Sequence, residues 1–124
     1  MKDIQFIESC KLRTKQIAVR VIKLVQKLDK TDEAKIIGKQ ILRSSTSVGA
    51  NYRAACRARS QAEYYAKISI VIEELDETLY WFELLIETGI VKENQLSDLI
   101  NESTELLMIF SKSRKTLNES LKNT

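Results

Sequence analysis

An all-α fold, an up-and-down antiparallel four-helix bundle, is what this sequence predicts. Three observations carry that expectation. Among 124 residues there is no proline and there are only three glycines, so few positions suit the special backbone angles that hairpin turns demand. Apolar residues recur at spacings of three and four along four separate stretches, the periodicity of helices with one buried face. The stretches are joined by short connections, which place consecutive helices antiparallel. No internal repeat or low-complexity linker divides the chain, so residues 1–124 are read as one domain.

The first helix, over about residues 12–29, is read from Ile17, Val21, Leu24 and Leu28, with Ala18, Ile22 and Val25 widening the stripe; Ile4 and Ile7 continue an apolar pattern that leaves an earlier start open. Thr31 is its successor's N-cap, and Asp32 and Glu33 suit a helix start. The second helix, residues 32–57, turns Ala34, Ile37, Ile41, Ser45, Val48, Tyr52 and Ala55 inward. Gly38, Ser45, Gly49 and Cys56 gather on an adjoining face, which predicts close approach of another helix backbone. Ser60 and Glu63 form a capping box that opens a third helix over residues 61–87. Gly89 suits the left-handed position after its end, with Ile90 supplying the accompanying apolar contact. The fourth helix, residues 93–121, carries Leu96, Leu99, Ile100, Leu106, Leu107, Phe110, Leu117 and Leu121.

The formal net charge of +3 conceals strong segregation. Residues 1–31 carry +5, residues 32–60 carry +4, residues 61–92 carry −5 and residues 93–124 carry −1. No acidic residue occurs between Ala34 and Ala62. Lys35, Lys39, Arg43, Arg53 and Arg57 fall within an arc of about 80° on the second helix. Like charges at helical spacing repel, so the stripe calls for a partner of opposite sign. Either the acids of the third helix (Glu73, Asp76, Glu77, Glu83 and Glu87) pair with it, within the bundle or between subunits, or it faces nucleic-acid phosphate.

The third helix has more apolar surface than one core needs. Tyr64, Tyr65, Ile68, Val71, Ile72, Leu75, Leu79, Phe82, Leu85 and Ile86 already make a complete inward face. Ile70, Tyr80, Trp81 and Leu84 fall outside that arc and are expected to cover an oligomer interface, since a monomer rarely exposes such a patch.

Composition also excludes chemistry. With no histidine, a nucleophile–histidine–acid set cannot form. A di-metal bundle site of the Glu-x-x-His kind is likewise ruled out. Gly38-Lys39 lacks the upstream glycine of a phosphate loop. The sequence therefore implies no enzyme, no metal and no cofactor. Cys10 and Cys56 read as reduced thiols of a cytoplasmic protein, and no run approaches the 18 apolar residues of a membrane span.

The segment QILRSSTSVGANYRAACRARS, from Gln40 to Ser60, resembles the signature of the four-helix-bundle proteins encoded within 23S rRNA intervening sequences. AEYYAKISIVIEELDETLYWFELL, Ala62 to Leu85, is similar to that family's third helix, and KQIAVRVIKLVQKL, Lys15 to Leu28, to its first. The likeness runs from about Lys15 to Leu117. It implies a bacterial homopentamer without enzymatic role. A related branch implies binding of RNA or DNA and an accessory role to a reverse transcriptase. The sequence departs from the pattern where Ala54 replaces a common glutamate and Leu75 a common alanine. The first change leaves Arg53 and Arg57 less compensated. Binding of nucleic acid through a basic surface on helices 1 and 2 is thus expected, a protein-interaction scaffold being the alternative.

Overall fold

The computed structural model describes residues 3–122, without the side chain of Leu121, whose expected inward position lies outside the described residues. Four helices follow one another: α1 (Ile4–Gln26), α2 (Asp32–Cys56), α3 (Gln61–Glu87) and α4 (Glu93–Lys122). Each packs against its sequence neighbours, and α1 returns to α4 along a thinner seam, closing the ring.

The helix starts follow capping chemistry. Thr31 accepts from the Ala34 amide at 3.2 Å and Ser60 from the Glu63 amide at 3.1 Å, which satisfies donors that the first turn leaves free. The reciprocal half of the box takes another form, because the Glu63 carboxylate pairs with Arg59 at 3.6 Å. α1 begins eight residues before the predicted position, at Ile4, because Asp3 caps it through the Gln5 amide at 3.0 Å. It also stops earlier, at Gln26. Gly89 takes φ +75° after α3. Its amide bonds to the Ile86 carbonyl, while the outer bond to Leu85 comes from Val91. Val91 is accordingly buried and Ile90 only half-buried.

Every predicted inward residue of α2 is buried. Gly49 gives the predicted close approach: a Cβ built there would sit 3.5 Å from the backbone of Thr14 and Lys15 on α1. Gly38 instead faces the side chains of Val25 and Leu28. Across the core, Tyr52 of α2 meets Phe110 of α4 with ring centroids 4.9 Å apart. Cys10 is buried and Cys56 half-buried, and the two form no disulfide. Between α2 and α3 the buried hydroxyls of Ser44 and Thr78 lie 2.8 Å apart, a polar link inside the core. Ile22, counted in the α1 stripe, is exposed. Among the described residues no helix is long and apolar enough to cross a membrane.

Candidate nucleic-acid interface

All five cations of the α2 stripe are exposed, because residues 35, 39, 43, 53 and 57 lie opposite the face that carries Ile41, Val48 and Tyr52 into the core. They differ in what surrounds them. Arg43 reaches across to α3, where its guanidinium bonds to Glu74 at 3.1 Å and to the Glu77 carboxylate. Glu77 also accepts from the Trp81 indole N–H at 3.1 Å. The bond to Glu77 holds the Arg43 guanidinium protonated above its usual range, and the bonds from Arg43 and then Trp81 hold the Glu77 carboxyl below its own. Arg43 is therefore paired with α3 at the surface of the bundle. Lys35, Lys39, Arg53 and Arg57 make no ion pair among the described residues. The predicted pairing with α3 holds for Glu77, and it recruits Glu74, which had not been named.

The first helix does not offer one continuous basic surface. Lys11 and Lys15 line a groove of about 320 Å³ against α2, together with Arg53 and Thr46. Its floor is Ala18, Gly49 and Ala50, and the small side chains are what leave room for it. Arg13 turns the other way, to α4, bonding Glu102 at 2.7 and 2.8 Å and Glu105 at 3.2 Å. That two-pronged bond to Glu102 raises the Arg13 pKa and lowers that of Glu102. Which basic residues of α1 accompany the α2 stripe could not be read from periodicity, since the flank of α1 that meets α2 is set only by the bundle's handedness.

The surplus apolar residues of α3 are arranged differently from expectation. Tyr80 is 52% exposed. Ile70, Trp81 and Leu84 are half-buried, and the last two pack against the core. At 100° per residue they fall on the α3 flank that carries Glu74 and Glu77, and Glu77 accepts from the indole. Tyr80 stands edge-on to Trp81, centroids 5.0 Å apart. An α2 residue that had not been singled out, Ile36, is also exposed, at 62%.

The two carboxylates with lowered pKa make a pH prediction. Both titrate from an ordinary 4.5 in the unfolded chain to a lower value in the bundle. Their contribution is therefore complete above 4.5 and lost as pH falls through the lowered values. Thermal melts at decreasing pH should show a falling Tm below about pH 4.5, and Glu102→Gln should flatten that acid limb. An unchanged limb in this variant would show the Arg13 link to be idle.

Fold and charge distribution together define a small four-helix-bundle protein with a cationic face on its second helix. The chain belongs to the family of the 23S rRNA-intervening sequence protein, whose profile matches residues 10–112. It is similar to a crystal structure of a protein with unknown function from the S23 ribosomal protein family of Bacteroides thetaiotaomicron VPI-5482. The two share 38% identity with a TM-score of 0.80, covering 86% of this chain and 98% of that one. No curated protein matches. The comparisons indicate no enzyme family.

Proposed function

We propose that this protein is a non-enzymatic, cytoplasmic homo-oligomer that binds RNA through the outward face of α2 and the adjoining α1–α2 groove. The observation that carries the reading is the contrast along one stripe: Arg43 is neutralised by Glu74 and Glu77, while Lys35, Lys39, Arg53 and Arg57 are exposed without a carboxylate partner among the described residues. Unrelieved like charges on one helix face are relieved by phosphate. The family's link to 23S rRNA makes RNA the first nucleic acid to test. Binding through phosphate releases counterions, so affinity should fall steeply between about 50 and 200 mM salt. An affinity that hardly responds to salt overturns the reading.

Assembly, taken as the pentamer that the resemblance implies, is supported by the exposed Tyr80 standing against half-buried Trp81. Because Trp81 also packs on the core, Tyr80→Glu is the cleaner probe. Light scattering should show the variant shifted to smaller species with its helical circular dichroism retained. A monomeric wild type, or an unshifted variant, removes this edge as the interface.

A further inference from the structure

The α1–α4 seam opens at one end into a cavity of about 380 Å³ that the α2 face does not touch. Arg20, Lys23 and Lys27 line one wall. Arg20 and Lys23 lie within an arc of about 60° on α1 and Lys27 caps its end; all three are exposed, and none makes an ion pair among the described residues. The floor is apolar, formed by Leu24, Leu28, Val91 and Leu99, and Gln95 of α4 offers an amide at the side. Asp29 supplies the one carboxylate of the lining. Glu102, which Arg20 influences from a distance, is already held by Arg13.

Three cations against one acid leave a wall of about +2 beside an apolar floor. A phosphodiester carries one negative charge, whereas a phosphate monoester carries about −1.5 to −2 at pH 7. The cavity lies within the size range of small-molecule sites, and its floor suits the uncharged body that such a phosphate is attached to. We propose that this pocket binds the phosphate monoester of a nucleotide, with Arg20, Lys23 and Lys27 holding the phosphate and the leucine floor and Gln95 receiving the nucleoside. The ligand is either a free nucleoside monophosphate or the phosphorylated end of a strand. The site stands apart from the α2 face and does not rest on RNA binding there.

Calorimetric titration of the full chain tests it with AMP, adenosine, and a short oligonucleotide carrying either a 5′-phosphate or a 5′-hydroxyl. AMP should bind saturably and adenosine should not. The Arg20→Ala/Lys23→Ala/Lys27→Ala variant, altered only at exposed positions, should lose about tenfold or more in affinity for AMP, the loss expected for charge-assisted bonds. The variant with alanine at 35, 39, 53 and 57 should keep that affinity. A marked preference for the 5′-phosphorylated over the 5′-hydroxyl strand, with weaker AMP binding, assigns the site to strand ends; AMP binding without that preference assigns it to the free nucleotide. The proposal is overturned if neither phosphorylated ligand saturates, if adenosine binds as well as AMP, if the triple variant binds unchanged, or if the α2 variant alone abolishes AMP binding.

Discussion

Replacing Lys35, Lys39, Arg53 and Arg57 together by alanine is expected to weaken RNA binding by a factor on the order of 10² to 10³ near 0.1 M salt. Each lost phosphate contact to a single strand removes about 0.7 from the salt slope. Four contacts remove nearly three, and the loss grows as salt is lowered. The comparison that makes this sharp is Arg43→Ala. Its guanidinium already sits on Glu74 and Glu77, so its removal should change affinity by less than about threefold, the scale of a screened surface charge. Fluorescence anisotropy across a salt series measures both. Equal losses in the two variants would show that the stripe acts as an undifferentiated charge and that α3 leaves Arg43 available. All four altered side chains are exposed and alanine favours helix, so the variant should keep its Tm. A collapse of the oligomer in place of RNA binding would move the protein to the scaffold reading.

Phe110→Ala is expected to cost about 3–5 kcal/mol, the range for removing a large buried aromatic. Phe110 is 1% exposed and meets Tyr52 in a tilted pair, which contributes beyond the area buried. The pair ties α2 to α4 diagonally, two helices that are not neighbours in the ring. Tyr52 is 1% exposed too, and burial holds its phenol protonated far above the usual range, so no charge arises there to compensate. Against a total stability of about 5–15 kcal/mol, such a loss takes a large share. Urea unfolding at fixed protein concentration measures it. Met108→Ala, at an exposed position two residues away, should stay within about 0.5 kcal/mol. A Phe110 variant that loses less than about 1.5 kcal/mol would mean that the core closes around the deletion.

The legible part of this protein was what a helix reveals about itself. Ile41, Val48, Leu75, Leu96 and Leu106 announce their burial through spacing alone, because a side chain's angle about its own axis follows from sequence position. Thr31 and Ser60 announce two helix starts, since their hydroxyls serve amides three residues on. Buried Thr14 and Thr78 escaped that reading: each hydroxyl is satisfied by a carbonyl of its own preceding turn, Cys10 and Glu74, both at 2.8 Å, so a residue that reads as polar enters the core at little cost. The start of α1 was legible only in part: Ile4 and Ile7 carry an apolar pattern toward it, but a single capping residue, Asp3, fixes it.

The five-residue stripe on α2 was equally visible, and so was the absence of acid along it. Its division into one committed arginine and four open cations was not. Nor could the chain tell that Lys11 and Lys15 border α2, that Arg13 latches α4, or that Arg20, Lys23 and Lys27 share a cavity with Leu99. Spacing assigns a residue to a face of its own helix, but the neighbour that face meets depends on the handedness of the bundle and the register between antiparallel helices. By itself the sequence determined four helices, their inward faces and a basic stripe with no acid along it. Only the tertiary structure decided which charges meet a carboxylate and which do not among the described residues, because ion pairing is a matter of a few ångströms between helices, and periodicity carries no distance between one helix and the next.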